Sequence, residues 1–301
     1  MSDIVIDPLT AQGAGYQRTR VGDLVVTTLY DGALPIFSAD MHGETPDRIA
    51  ALLSDAFLPP EGELQTAVNV FMFERQGRVV LIDAGAGTSL GPGTGHLVES
   101  LSAAGANPAD IDDILITHLH PDHVYGLTAQ DQAVFPNALV HVADLDLRHW
   151  THSTFPDDAT DVQLSIRGWA AEALEPYRKE SRLHIFDYGD HPVPGVTAID
   201  LHGHTPGHAG FLVEAGGPQV LFWGDTVHSH AVQLRMPHVA MDIDSDRDQA
   251  KMSRQRILDE VSAQRWAVGA AHLPFPGIGN VTYRAGEFIW VPTPYRPMEL
   301  T

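Results

Sequence analysis

Short apolar runs separated by glycine and polar clusters recur along the chain and predict β-strands. Runs of this length, bounded by turn-forming residues, are typical of strands buried in a sheet, whereas helices require longer periodic segments. The runs occupy residues 24–29, 68–73, 79–82, 114–116, 196–201, 220–223 and 266–271. Helical patterns extend over residues 46–56, 94–104, 159–177 and 247–263. Because strands outnumber helices, periodicity alone supports an α/β or α+β fold.

The densest group of potential metal ligands follows the run at residues 114–116. There the chain reads Thr-His-Leu-His-Pro-Asp-His over residues 117–123. If the chain stays extended beyond the strand, His118 and His120 lie on the same side, because side chains of a strand alternate. Pro121 cannot continue a ladder and forces a turn, after which Asp122 and His123 approach the same point from another direction. The segment therefore predicts ligands for two metal ions.

Three further candidate ligands follow other apolar runs, where strand ends gather functional residues. They are His204, Asp225 and His272. The expected ligands of one metal are His118, His120 and His204. The expected ligands of the second are Asp122, His123 and His272, with Asp225 as a bridge between the two ions.

The chain contains no cysteine, so all metal ligands must be nitrogen or oxygen. Imidazole and carboxylate suit zinc, and iron, manganese and cobalt are also compatible. Two divalent ions held close together activate a bridging water as hydroxide, which we expect to be the nucleophile. Asp225 would then set the spacing of the ions, and Asp122 would orient or relay a proton as well as bind metal.

The order of these ligands resembles a known family, the metallo-β-lactamase-fold hydrolases, whose signature is H-x-H-x-D-H followed by later His, Asp and His ligands. Residues 271–279, Ala-His-Leu-Pro-Phe-Pro-Gly-Ile-Gly, resemble most the methyl parathion hydrolase branch, as do residues 66–69 and 91–92. That branch also contains lactonases and arylesterases. The resemblance implies an α+β fold, a four-layer αββα sandwich. It further implies an N-terminal extension over residues 1–65, packed on a catalytic domain over residues 66–301.

The activity implied by this resemblance is hydrolysis of neutral, fairly apolar esters or lactones, with phosphotriesterase activity as a promiscuous side reaction. The di-iron redox members of the superfamily resemble H-x-E-x-D in this motif, with glutamate where this chain has His120. This difference favours hydrolysis over redox chemistry. Two alternatives stay open. One is another hydrolase of the superfamily, such as a thioesterase or a β-lactamase-like enzyme. The other is a non-catalytic metal-binding protein.

The substrate pocket is predicted from the same resemblance. Leu90 and Trp150 lie where related organophosphate hydrolases place apolar pocket residues. Tyr125 replaces a glycine that the family usually has, so we expect it to line the pocket or to donate a hydrogen bond in catalysis. Asp83 is expected to brace the metal loop and His208 to lie behind the ligands. A set of three further histidines follows Asp225 and is expected in solvated loops, with a pocket role for one of them as the alternative: His228, His230 and His238.

Charge and composition narrow the partners. The formal net charge is −21, and no basic footprint for phosphates is visible, which argues against nucleic acid. No apolar run reaches the roughly 18 residues that a membrane-spanning helix needs. The N-terminus shows no secretory signal, so a cytoplasmic location is the default expectation. By analogy with family members we expect a homodimer that binds a small ester or lactone.

Overall fold

A computed structural model describes residues 13–88, 90–152 and 161–296 of the chain. The strands are β1 (Tyr16–Val21), β2 (Leu24–Phe37), β3 (Met41–His42), β4 (Glu63–Arg75), β5 (Arg78–Ile82), β6 (Asp113–Leu115), β7 (Thr128–Ala129), β8 (Gln132–Ala133), β9 (Leu139–Ala143), β10 (Leu183–Phe186), β11 (Val196–Asp200), β12 (Ala209–Glu214), β13 (Gln219–Phe222), β14 (Ala240–Met241), β15 (Ala267–Gly269), β16 (Ile278–Arg284) and β17 (Glu287–Pro292). The α-helices are α1 (Pro46–Asp55), α2 (Leu97–Ala103), α3 (Pro121–Val124), α4 (Asp144–Leu147), α5 (Asp161–Lys179) and α6 (Arg247–Gln264).

The first large sheet contains seven strands in the order β1-β2-β4-β5-β6-β9-β10. β4 and β5 form the hairpin that the sequence predicts, and β5, β6 and β9 are parallel neighbours. β2 pairs with β4 in a long antiparallel ladder, from Val26 opposite Phe73 to Phe37 opposite Glu63. The segment before residue 65, predicted as an extension, thus supplies two strands of this sheet.

The second large sheet contains six strands in the order β11-β12-β13-β15-β16-β17. β13 and β15 are parallel, and the other neighbours in this sheet are antiparallel. The carboxyl ends of parallel neighbours meet at one edge of a sheet, so the loops after β13 and β15 lie side by side. The loop after β6 occupies the same position in the first sheet.

Buried apolar clusters show that the two sheets lie face to face with helices outside. Phe71 and Phe73 of β4 meet Phe222 of β13 between the sheets, and the rings of Phe73 and Phe222 are stacked with centroids 5.6 Å apart. A second cluster lies between the first sheet and helices α2 and α5, and a third between the second sheet and α6. This arrangement confirms the predicted αββα sandwich.

Two helices start where the sequence predicts, at residues 46 and 247, and a third departs from its predicted start. Thr45 and Asp246 cap α1 and α6 with their side-chain oxygens. The helix predicted from residue 94 begins instead at Leu97, because Gly95 has a φ of +89° and the amides of Gly95 and Leu97 donate to the buried carboxylate of Asp31. The predicted start of α5 at residue 159 lies outside the described residues. In the described part of the chain, no helix has both the length and the apolar character needed to cross a membrane.

Candidate metal centre

The loop after β6 is held in place by a buried carboxylate. Asp83, at the end of β5, accepts hydrogen bonds from the amide and the hydroxyl of Thr117 at 2.7 and 2.9–3.0 Å. Its Oδ2 lies 2.8 Å from Nδ1 of His123. Pro121 occupies the first turn of α3, where its missing amide costs nothing, so the chain turns there as predicted. Asp83 therefore braces the histidine loop in the way that the family resemblance implies.

The structure brings all seven predicted ligands together in two groups that share one carboxylate. Within each group, the potential ligand atoms lie within 4.8 Å of one another. The first group contains His118, His120, His204 and Asp225, and the second contains Asp122, His123, Asp225 and His272. This partition is the one predicted from the sequence, and the role of these residues as ligands stays a prediction.

Asp225 lies between the two groups. Its Oδ1 lies 3.0 Å from Nε2 of His123 and 3.0 Å from Nε2 of His272. Its Oδ2 lies 3.3 Å from Nε2 of His204, in the other group, and 3.1 Å from Nε2 of His272. A single carboxylate between two imidazole clusters is the arrangement that a bridging ligand requires. Asp225 therefore occupies the bridging position.

Hydrogen bonds orient three of the imidazoles so that their Nε2 atoms face the centre, whereas His120 presents Nδ1, which lies 3.0 Å from Nε2 of His204. Nδ1 of His204 lies 2.8 Å from Oδ1 of Asp244, and Nδ1 of His272 lies 2.8 Å from the carbonyl oxygen of Ala67. His123 is held in the same way by Asp83. Anchoring one ring nitrogen in this way fixes the tautomer and leaves the other nitrogen free to bind metal. Among the described residues, Nε2 of His118 and of His123 and Oδ1 of Asp225 are buried and make no hydrogen bond of good geometry, although Nε2 of His123 and Oδ1 of Asp225 lie 3.0 Å apart, which fits ligand atoms for cations.

The electrostatics of the site also fit metal cations. Burial and the imidazole of His123 hold the pKa of His118 well below its ordinary value. A neutral imidazole has one ring nitrogen without a proton, and that nitrogen can bind a metal ion. Burial opposes the charge of Asp225, but the neighbouring imidazoles outweigh it and hold the pKa of Asp225 well below its ordinary value. At His204, burial is outweighed by Asp225 and Asp244, which raise its pKa to about 9. Carboxylates that stabilise a proton on His204 stabilise a divalent cation at the same place.

Sequence reasoning missed a second bracing carboxylate, Asp146 in α4. Its fully buried side chain accepts hydrogen bonds from the amide of Leu119 at 2.9 Å and from the amide of Gly207 at 2.6 Å. It therefore joins the loop that carries His118 and His120 to the loop that follows His204. A Cβ at Gly207 would lie 2.3 Å from the backbone nitrogen of Asp146, so only glycine allows this approach. Asp146 has no ligand motif around it, so no sequence signal identified it.

The histidines near Asp225 divide into three environments. His208 lies behind the centre as expected, since its Nδ1 donates to the carbonyl of Leu201 and its Nε2 accepts from the amide of Asp225. His238 is exposed, in agreement with a solvated loop. The prediction of a solvated loop is wrong for His228, which is 4% exposed, has Nε2 3.0 Å from Oδ2 of Asp225 and fits the alternative of a pocket role. His230 lies in a turn and is partly buried. The chain folds back after Asp225, which periodicity could not show.

A cavity of about 240 Å³ opens onto the centre. Its floor carries candidate ligands, namely His120, Asp122, Asp225 and His272, and also His228. Its walls are mostly apolar and come from β2, the loop between β5 and α2, α5, and the end of β14 with the residues that follow it. These wall residues are Leu34, Pro35, Ile36, Leu90, Ile166, Trp169, Met241 and Ile243. Asp40 and Thr66 add polar groups away from the ligands.

The three predicted pocket residues lie in different places. Leu90 lines the cavity, as the resemblance implies. Trp150 is buried and packs edge-on against the ring of His120, with centroids 5.6 Å apart, so it supports a candidate ligand from outside this cavity. The hydroxyl of Tyr125 donates to Glu172 in α5 at 2.9 Å, and its ring packs on Trp169. Tyr125 is not part of this cavity's lining, so the expected obstruction by its ring is not seen there.

Together, the four-layer sandwich and the shared-carboxylate site define a metallo-hydrolase class of protein. The family model described as the metallo-beta-lactamase superfamily matches residues 65–268, and the chain belongs to this superfamily.

Individual relatives agree with this membership. The solved structure of a hydrolase named AbOPH, described as belonging to the beta lactamase superfamily, is 31% identical. It covers 95% of this chain and 100% of that chain, with a TM-score of 0.91. AidC, described as a dizinc quorum-quenching lactonase in complex with a homoserine product, shares the fold at a TM-score of 0.83 and 23% identity, over 94% of this chain and 99% of its own.

Curated relatives are more distant in sequence. An N-acyl homoserine lactonase of Bacillus sp. is 26% identical over 55% of this chain and 58% of its own length. A probable metallo-hydrolase of Mycobacterium bovis is 25% identical over 64% of this chain and 69% of its own length.

Proposed function

We propose that this protein is a dinuclear-metal hydrolase that cleaves neutral, fairly apolar esters or lactones. The observation that carries the proposal is the pair of ligand groups sharing Asp225, placed at the floor of a cavity with mostly apolar walls. The lactonases among the similar proteins support a lactone as substrate. Zinc is the metal we propose, because imidazole and carboxylate groups suit it and AidC, among the similar structures, is described as a dizinc lactonase; iron, manganese and cobalt are the compatible alternatives.

Each group of candidate ligands would hold one metal ion. His118, His120 and His204 would hold one ion, and Asp122, His123 and His272 the other. When bound, two such ions supply an activated water near neutral pH and a Lewis acid for the substrate oxygen. Asp225 would set the separation of the two ions. Asp122 lines the cavity, where its carboxylate would orient the attacking water and would carry its proton to the leaving alkoxide.

The cavity walls select the substrate. Ile166 and Trp169 of α5 line the cavity together with Leu34 and Ile36 of β2, and these side chains would exclude water from an acyl or aryl group bound among them. The carboxylate of Asp40 in the same cavity disfavours anionic substrates, as does the net charge of −21. Phosphotriesters are neutral and fit the same logic, so we propose them as promiscuous substrates. A homodimer in a cytoplasmic setting stays a prediction.

A substrate panel with and without a chelator tests the proposal. The panel contains aryl esters, lactones, a neutral phosphotriester, a thioester and a β-lactam, and we expect esters or lactones to give the highest kcat/KM. Elemental analysis should find two divalent ions per chain. Chelation should abolish turnover, and His120→Ala and Asp225→Ala should each lower kcat/KM by several orders of magnitude.

His238→Ala is the matched control, because this exposed histidine lies outside both ligand groups. Its kcat/KM should equal that of the wild type. Turnover that survives exhaustive chelation would contradict a metal-dependent mechanism. Two bound ions with no turnover of any substrate in the panel would favour a non-catalytic metal-binding protein, and a preference for the thioester or the β-lactam would favour the alternative hydrolases.

A further inference from the structure

His228 is an eighth side chain at the centre that the predicted ligand set does not include. It follows Asp225 by three residues, and its ring is buried beside the floor of the cavity. Its Nε2 lies 3.0 Å from Oδ2 of Asp225. Neither ligand group includes His228. The ring therefore contacts the shared carboxylate without joining the atoms that surround either candidate ion.

The position of the His228 ring is fixed by its neighbours. Its backbone amide donates to Oε1 of Gln233 at 2.7 Å, which holds the loop after Asp225. The ring stacks on that of His272, with centroids 5.2 Å apart and an interplanar angle of 14°. Gln233 is itself fully buried and donates to the carbonyl of Val239. The imidazole thus meets Asp225 in one orientation.

The surroundings also fix which nitrogen of His228 carries the proton. Nδ1 is buried and has no hydrogen-bond partner among the described residues. A neutral imidazole has one N–H, and a buried N–H without an acceptor costs about 1–3 kcal/mol. The carboxylate beside Nε2 is a strong acceptor. The proton is therefore on Nε2 and is donated to Oδ2 of Asp225.

We infer that His228 is a positioning residue, which holds the carboxylate plane of Asp225 in the orientation that places Oδ1 near His123 and Oδ2 near His204. Nε2 of His272 lies close to both oxygens, and Oδ2 also accepts from the Nε2–H of His228. Without the donor, the carboxylate can rotate about its Cβ–Cγ bond and leave one group with a misdirected oxygen. The inference rests on the proposed metal centre, and it adds a residue that controls how well both ions bind.

Removing the donor should weaken metal binding before it affects anything else. Hydrogen-bond partners of ligating groups typically contribute about 10–100-fold to metal affinity. His228→Phe keeps a flat ring to stack on His272 but has no donor. His228→Gln restores an N–H at similar reach. His230→Phe is the matched control, because His230 is a partly buried histidine of the same loop that lines a different cavity, beside Arg235 and Trp290.

The experiment is a competition titration of the full chain, stripped of metal and reloaded with Zn²⁺ against a chromophoric chelator. We expect the weaker of the two stepwise dissociation constants to rise about 10–100-fold in His228→Phe, to recover in His228→Gln and to be unchanged in His230→Phe. Circular dichroism checks that each variant is folded. If His228→Phe does not fold, His228→Met against His228→Gln gives the same comparison, since the two side chains match in length and only glutamine donates.

Two outcomes would overturn the inference. One is wild-type Zn²⁺ affinity in His228→Phe or His228→Met, and the other is equal loss of affinity in the donor and non-donor variants. Because the titration measures binding alone, the result is separate from the proposed function. A wild-type chain that binds two ions tightly but hydrolyses nothing in the panel would defeat the proposed function and leave the role of His228 intact.

Discussion

At the scale of single residues, Tyr125 shows that nearness in sequence does not place a side chain in a site. It follows His123 by two residues, and residues two apart on a helical turn face different directions. His123 points into the centre, whereas Tyr125 points to Glu172 and Trp169 of α5. The structure therefore assigns Tyr125 to the contact between the histidine loop and α5.

Tyr125→Phe tests this assignment. The hydroxyl bonds to an exposed carboxylate, so its loss should reduce the free energy of unfolding by less than about 1.5 kcal/mol. The kcat for small esters or lactones should stay at the wild-type value, because the hydroxyl points away from the cavity. Urea denaturation and steady-state kinetics measure the two effects, and Glu172→Gln should behave like Tyr125→Phe. A fall of kcat by about tenfold or more in Tyr125→Phe alone would restore a role as donor in catalysis.

At the scale of elements, the centre depends on carboxylates that join one loop to another. Asp83 links β5 to the histidine loop, Asp146 links that loop to the turn after His204, and Asp31 links β2 to the start of α2. Each of these buried side chains accepts from backbone amides that would otherwise lie unpaired in the interior. Loops held in this way keep ligands from both sheets at fixed separations.

Asp146→Ala should destabilise the protein strongly. It leaves the amides of Leu119 and Gly207 buried without their acceptor, and each unpaired group costs about 1–3 kcal/mol. We expect the free energy of unfolding to fall by about 2–5 kcal/mol in urea denaturation, with weaker metal binding. Asp146→Asn keeps one acceptor oxygen and should lose less. An Asp146→Ala protein as stable as the wild type would show that water replaces the carboxylate.

A buried ion pair far from the ligand groups predicts a pH effect on the first sheet. Asp113 in β6 accepts from Nε of Arg78 at 2.6 Å and lies 2.9 Å from Nε2 of His141. Burial alone would raise its pKa, but His141 and Arg78 outweigh burial and hold the pKa of Asp113 below the ordinary value of 3.8. A carboxyl with a lowered pKa in the folded state stabilises the fold above its ordinary pKa. This contribution is lost as the pH falls through the lower, folded-state value.

Asp113→Asn should therefore be less stable than the wild type at neutral pH, and the difference should shrink as the pH falls below 3.8. Urea denaturation over a pH series measures this difference. Asp131→Asn, at an exposed loop position, is the control and should show no comparable loss. A difference between Asp113→Asn and the wild type that is constant over the whole pH series would contradict the linkage.

At the scale of the whole molecule, the candidate ions would join the two sheets. His118 and His120 follow β6 of the first sheet, whereas His204, Asp225 and His272 follow strands of the second. An ion bound only by the folded chain stabilises it by mass action, by about 2.7 kcal/mol at a free concentration 100-fold above Kd. Chelation should accordingly lower Tm by roughly 5–10 °C in differential scanning calorimetry. The Tm of Asp225→Ala should be lower than that of the wild type and should change less when the chelator is added. If the chelator does not change the Tm of the wild type, the metals do not contribute to stability.

Much of the fold and of the site could be predicted because the informative patterns are local. The apolar runs predicted strands at the places where β4, β5, β6 and β13 lie, and the helical patterns predicted the starts of α1 at residue 46 and of α6 at residue 247. The seven ligand positions came from strand ends, since side-chain alternation and a proline turn are properties of a few adjacent residues. The four-layer order came from the family resemblance, since periodicity alone left the fold class open.

The sequence by itself determined which residues are the candidate metal ligands, and the tertiary structure decided what surrounds them. His228 contacts Asp225, and Asp146 accepts from the amide of Leu119, although no local sequence pattern marks either residue. The side chain of Tyr125 lies outside the centre, because the short helix before it directs the hydroxyl to Glu172 of α5. The cavity walls come from β2, α5 and the end of β14 with the residues that follow it, and these elements are far apart along the chain. The periodicity of a sequence shows which face of one helix or strand is apolar. Which side chains line a cavity together depends on how all the elements pack, and this packing is seen only in the folded chain.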